Sequence, residues 1–173
     1  MEKKTIWDLA RPSIAEYKQQ RKMPLTVVLD NVRSLNNIGS LFRTSDGFGV
    51  ERILLCGISH TPPSPEIHKT ALGAEDSVDW AYYEKTADAL AALKADGYRL
   101  CCLEQVQGSV MLQDFRPAPG AKYALILGNE VDGVDQAVVD ACDICLEIPQ
   151  VGTKHSLNVT ISAAIAIWHF FQH

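Results

Sequence analysis

Ile148-Pro149-Gln150-Val151-Gly152-Thr153-Lys154-His155-Ser156-Leu157-Asn158-Val159 is the stretch on which the reading of this chain turns. An apolar strand-like run, Ile144–Ile148, stops at a proline, which removes a backbone donor and ends a strand. A polar loop then leads into Leu157–Phe170, apolar nearly all round: Leu157, Val159, Ile161, Ala163, Ile165, Ile167, Trp168 and Phe170. A helix without a polar face is buried on several sides. Either the domain wraps around it or a second subunit covers it. Ser156 is a good N-cap, which places Asn158 at the second helical position. A buried amide requires partners, and packing alone gives Asn158 no reason to head an apolar helix. Its reading is functional.

Outward from this segment, short apolar runs alternate with helical ones. Leu25–Leu29, Ile53–Cys56, Leu100–Leu103 and Tyr123–Leu127 share the character of Ile144–Ile148, while Ile38–Phe48, Thr86–Lys94 and Asp135–Ala141 read as helices. Apolar strands separated by helices predict a mostly parallel sheet, because the crossover helices cover both of its faces. The expected architecture is one α/β domain over residues 24–173, preceded by an arm at 1–23.

A dinucleotide-binding fold would place a glycine-rich turn directly after its first strand. Here Leu29 is followed by Asp30-Asn31-Val32-Arg33-Ser34, and the glycines follow a late strand instead, in Leu127-Gly128-Asn129-Glu130-Val131-Asp132-Gly133. A cofactor site therefore belongs to the C-terminal half. Gly128-Asn129-Glu130 lets backbone groups approach a ligand closely; alone, Glu130 reads equally as an acid favoured by a helix dipole. A third segment, Leu35-Asn36-Asn37-Ile38-Gly39-Ser40-Leu41-Phe42-Arg43-Thr44, begins where a strand ends, the usual ligand edge of an open α/β sheet. Asn36 or Asn37 can cap its helix. Asn37 and Arg43 share no face in the i, i+4 sense, so the asparagine has to project from the cap; alone, an N-cap and a surface arginine are the plainer reading.

The 173 residues are 47% apolar and 21% charged, ordinary for a globular domain. Met1–Arg11 is polar with no apolar h-region, and Ile161–Phe171, broken by Ser162 and His169, is too short for a span of about 20 residues. A soluble, cytoplasmic protein is expected. The five cysteines, Cys56, Cys101, Cys102, Cys142 and Cys145, are an odd count that argues for reduced thiols. Cys142-Asp-Ile-Cys145 lacks a second ligand pair and precedes a strand, so it reads as ordinary buried thiols. Net charge is −5, awkward for binding phosphate, but residues 1–23 hold six Lys/Arg against three acids. That basic arm is either a local phosphate contact or a solvated helix. His60 and His68 flank a Pro-rich loop with no visible partners, and His155 is a proton acceptor or, more simply, a substrate contact.

Taken in order, the NNIG…R, GNE and IPQ…HSLNV segments resemble the SpoU (TrmH-like) family of RNA ribose methyltransferases, within the SPOUT superfamily. The resemblance covers residues 24–173. It implies a C-terminal deep trefoil knot, a rare exception to the rule against knots, and a homodimer. It also implies S-adenosyl-L-methionine as cofactor, held against backbone near Leu103, Gly128, Ile148 and Leu157, with no metal. Asn37 and Arg43 correspond to the first family motif, Glu130 to the second, and Ser156 and Asn158 to the third. The implied reaction is methyl transfer to a ribose 2′-hydroxyl of structured RNA, tRNA ahead of rRNA.

In that reading Glu130 and Asn37 hold loops and Arg43 in place, while Ser156 and Asn158 orient the ribose. Family proposals cast the arginine as the base; because a guanidinium stays charged, a cationic clamp on phosphate and developing alkoxide is preferred. The chain ends at His173, directly after the terminal helix, so the missing basic surface is expected from a second subunit or a protein partner. The alternative is a catalytically silent knotted protein that binds RNA or S-adenosylmethionine. A flavodoxin-like module is disfavoured, since Asp30–Leu35 resembles no phosphate loop.

Overall fold

Strand β1, Met23–Asp30, buries both of its sides: Val27 and Leu29 enter one core and Val28 another. A strand apolar on both faces is stable only with helices above and below it. The same division holds for Ile53 and Leu55 against Leu54 in β2, Val50–Cys56. It recurs for Leu125 and Leu127 against Ala124 and Ile126 in β6, Lys122–Leu127. The computed structural model describes residues 1–5 and 7–173. With β3 (Asp79–Tyr83), β4 (Tyr98–Leu103), β5 (Val110–Met111) and β7 (Ile144–Glu147), these strands form one seven-stranded sheet in the order β3-β2-β1-β6-β4-β7-β5. Every pairing between these strands is parallel, where the sequence had predicted a mostly parallel sheet.

One face carries α2 (Leu35–Phe48), α3 (Pro65–Ala71), α4 (Ala74–Ser77) and α7 (Val159–Gln172); the other carries α5 (Thr86–Ala95) and α6 (Gln136–Ala141). Helix α1, Ile14–Gln19, docks through Tyr17, which is buried and donates its hydroxyl to the Asp46 carbonyl at 3.2 Å. Strand β3 escaped the sequence reading because four of its five residues are exposed, and β5 because it has two residues. Helix α3 lies in what reads as a Pro-rich loop: Ser64 caps it and Pro65 occupies its first position. His68, expected to lack a partner, faces Glu75, Nδ1 to Oε1 at 2.5 Å.

The terminal helix departs from expectation. Val159, Ala163, Ala166, Ile167 and Phe170 are buried, but Ile161, Ile165, Trp168 and Phe171 are 53%, 40%, 45% and 54% exposed. Within one chain, α7 lies on a single face of the sheet beside α2, so only one side of it meets a core. Burial on all sides is not achieved by the domain itself. The thiols also differ slightly from the reading: Cys142 and Cys145 are half-buried, and the close pair is Cys102 with Cys145, Sγ to Sγ 2.9 Å. Desolvation pushes the Cys101 and Cys145 thiols up to about 12, so they stay protonated near neutral pH.

Gly39 explains one feature of α2. A Cβ there would overlap the Thr70 hydroxyl and the Ile67 carbonyl, so its absence lets α3 cross α2 closely. Gly39→Ala is expected to lower stability by about 1–3 kcal/mol, read as a shifted urea midpoint at unchanged slope. His169 Nε2 donates to the Phe115 carbonyl at 2.8 Å, and partial burial, with His173 and Arg116 adding, holds its pKa below 6.5. A depressed histidine stabilises fully above its unfolded pKa and loses that contribution as pH falls. Stability is therefore expected to fall as pH drops through and below 6.5, less so in His169→Gln.

Candidate functional site

The carboxyl ends of β6, β4 and β7 meet at one edge of the sheet, where successive loops must diverge and leave a crevice. A cleft of about 440 Å³ opens there, lined by Leu103, Gly128, Ile148 and Leu157 together with Glu130, Ser156 and Asn158. Gly128 is indispensable to its floor. A Cβ on Gly128 would overlap the Gly133 carbonyl and the Val134 amide, across the narrow turn in which Asn129 and Gly133 exchange backbone hydrogen bonds at 3.1 Å. The Asn129 side chain accepts from the amides of Val131 and Asp132, both at 2.9 Å, and so holds the turn open toward the cleft.

Asn37 does not line this cleft but reaches its rim. Ser34, rather than Asn36 or Asn37, caps α2, accepting from the Asn37 amide at 3.3 Å. Asn37 thus sits inside the first turn, where its Nδ2 donates to Glu130 Oε1 at 2.6 Å and its Oδ1 accepts from Asn158 Nδ2 at 3.4 Å. Asn158 is itself the N-cap of α7, so Ser156 is not: Asn158 Oδ1 accepts from the Thr160 amide at 2.9 Å and from its hydroxyl. Residues 150–158 are exposed, and of them Gln150, Ser156, Leu157 and Asn158 line the cleft, so the helix begins only after Asn158. The Asn158 amide is accordingly exposed rather than buried, and one structural demand on it, capping, is satisfied.

Three segments distant in sequence are thereby joined through Glu130, Asn37 and Asn158. Arg43 is not brought to them within one chain. It lies six residues beyond Asn37, about 240° further around the helix and roughly 9 Å along it. It is exposed and lines a second, open groove of about 1070 Å³ with Tyr17 and Phe48.

The cleft's electrostatics are one-sided. Glu104, Glu130, Asp132 and Glu147 line it, and among the described residues its lining includes no Lys, Arg or His. Such a site disfavours phosphate and favours a polar cation. Glu104 and Gln105 were not singled out from the sequence, although a polar pair directly after a strand at the ligand edge is a readable signal. Glu104 accepts from the Val134 amide at 3.0 Å and the Gln105 amide at 2.8 Å; Gln105 Nε2 donates to the His155 carbonyl at 2.8 Å. The pair ties both loops that wall the cleft to the end of β4. Gln105→Ala is expected to free residues 150–157 by about 1 kcal/mol, seen as about fivefold faster amide exchange there.

Known proteins resemble this chain in sequence and in fold. Residues 24–168 match the model of the SpoU rRNA Methylase family. A protein of Staphylococcus saprophyticus assigned to the TrmH family of tRNA/rRNA methyltransferases is 26% identical over 160 residues, covering 92% of this chain and 63% of that protein. The chain thus spans under two thirds of that relative's length. An rRNA methyltransferase from Sinorhizobium meliloti, solved with AdoMet bound, superposes with TM-score 0.82 at 26% identity over 91% of this chain and 60% of that one. The TrmH/SpoU tRNA modifying enzyme of A. aeolicus shares the fold with TM-score 0.81 at 23% identity, over 92% of this chain and 79% of its own. On the family match over residues 24–168, the chain belongs to the SpoU rRNA methylase family.

Proposed function

We propose that this chain transfers a methyl group from S-adenosyl-L-methionine to a ribose 2′-hydroxyl of structured RNA. The observation that carries this reading is the four-carboxylate cleft at the ligand edge, lined by no cation among the described residues and joined through Glu130 to Asn37 and Asn158. The cofactor carries a sulfonium and an ammonium against one carboxylate, a net cation that fits such a lining. Its adenosyl part would rest on Leu103, Ile148 and Leu157, with backbone approach permitted at Gly128. When bound, the cofactor supplies an already activated methyl group, so the protein's work is orientation and proton removal.

Each residue then has a task. Glu130 holds Asn37, which in turn holds Asn158 at the mouth of the cleft. Ser156 and Asn158 orient the ribose, and Glu104 with Gln105 keep the two walls at a fixed separation. Arg43 clamps a substrate phosphate and stabilises the developing alkoxide as a fixed cation. Because Arg43 does not line the cleft of its own chain, this role implies a homodimer in which it completes the partner's site. The exposed stripe Ile161, Ile165, Trp168 and Phe171 supplies the apolar face such a dimer needs. The deep trefoil knot belongs to the same proposal. It is supported by the insertion of β7 between β4 and β5, followed by return of the chain across the cleft into α7.

Transfer of labelled methyl from S-adenosylmethionine to total tRNA and to rRNA, followed by nucleoside analysis, tests this. Label is expected in 2′-O-methylnucleosides, first in tRNA. Label on bases, or cofactor binding without any transfer, overturns it. Arg43→Lys is expected to lose about a hundredfold in kcat, since a lysine lacks the planar fork. Near-full activity of that variant would rule out the bidentate clamp.

A further inference from the structure

The charged groups of the second groove are as one-sidedly basic as those of the cofactor cleft are acidic, over an apolar floor of Phe48, Phe170 and Phe171 whose last residue marks where the proposed dimer face begins. Its lining includes Arg11, Arg21 and Lys22 from the arm around α1, together with Arg43 of α2, against a single carboxylate among the described residues, Asp46. That carboxylate is already engaged, accepting from the Ser77 hydroxyl at 2.6 Å. Among the described residues neither Arg11, Arg21 nor Arg43 forms a salt bridge. Lys22 donates to the Tyr17 carbonyl and lies over the Tyr17 ring. The wall that carries these cations is fixed to the body. Ser13 and Glu16 form a capping box at the start of α1, and buried Tyr17 anchors the helix to α2. Four cations gathered on a chain of net charge −5 cost self-repulsion unless an anion relieves it.

We propose that this groove is an RNA-docking track, in which Arg11, Arg21 and Lys22 hold successive phosphates of the strand whose ribose is presented to Arg43. The proposal rests on the methyltransferase reading and deepens it by naming the surface that supplies substrate affinity. A phosphate track needs positive charge at intervals rather than base-reading geometry. Flexible cations flanking the open groove of about 1070 Å³ meet that requirement. The acidic cleft cannot serve, since its four carboxylates would repel the backbone.

The full chain and two double variants, Arg11→Glu/Arg21→Glu and Arg11→Lys/Arg21→Lys, test it. Total tRNA is the probe, titrated from about 50 to about 200 mM salt. In the glutamate variant, affinity is expected to fall at least about tenfold and the slope of log K against log salt to become shallower by about two. KM for RNA should rise while kcat at saturation and S-adenosylmethionine binding by calorimetry stay unchanged. The lysine variant should match the native chain, because charge is preserved. Unchanged tRNA affinity and slope in a glutamate variant that still binds cofactor overturns the track. A shift in oligomeric mass without loss of RNA binding overturns it as well and assigns the groove to a second copy. Failure of the native chain to bind any RNA overturns the track and the methyltransferase reading together, whereas loss confined to the variant leaves that reading standing.

Discussion

The ladders that β6 makes with β1 on one side and β4 on the other hold everything else in place. Leu25–Leu29 pairs with Tyr123–Leu127, and Tyr98–Cys102 pairs with Lys122–Ile126. Without β6 the sheet falls into two halves, β3-β2-β1 and β4-β7-β5, each with an unsatisfied edge. Inserting a late strand between two early ones also dictates where the chemistry sits. The loop after β6 emerges beside the start of α2, which is why Glu130 meets Asn37 although they are far apart in sequence. The loop after β7 emerges beyond β4 and must cross the same edge to reach α7, which delivers Asn158 to the same place. Three short motifs share one rim because of strand order.

Charge is partitioned with the same economy. The cleft lining carries carboxylates and no cation among the described residues, and the groove lining carries cations and one carboxylate. Helix α2 spans the two, presenting Asn37 near one and Arg43 to the other. Under the proposed function, a net-cationic cofactor and a polyanionic substrate are attracted to separate surfaces of one molecule, and neither competes for the other's place. Chain-averaged charge conceals this. An overall −5 reads as poor nucleic-acid chemistry until it is resolved into two surfaces of opposite sign.

Much of the fold was legible because parallel strands buried on both faces announce themselves as unbroken apolar runs. Val27, Val28 and Leu29 satisfy two cores at once and admit no polar alternation. What escaped was amphiphilic or short. Strand β3 is an exposed edge, β5 is two residues long, and α3 and α4 each span fewer than two full turns. Caps were misplaced for a related reason. Ser34 and Asn158 cap α2 and α7, whereas Asn36 or Asn37 and Ser156 offered equally good local chemistry. Several polar residues near a helix start compete on nearly equal terms, and the path of the incoming loop decides among them.

The sequence by itself determined the class of architecture, the two core faces and the presence of three polar segments at strand ends, since these follow from local periodicity and turn chemistry. It also carried the family, through motifs whose order survives even where each is weak. Only the tertiary structure decided that Glu130, Asn37 and Asn158 form one hydrogen-bonded chain while Arg43 points into a different groove. It likewise decided that α7 keeps one apolar side exposed. These outcomes depend on which strands are neighbours and on how far a helix turns between two residues in space. Neither is written in any single segment, because both are consequences of long-range backbone pairing.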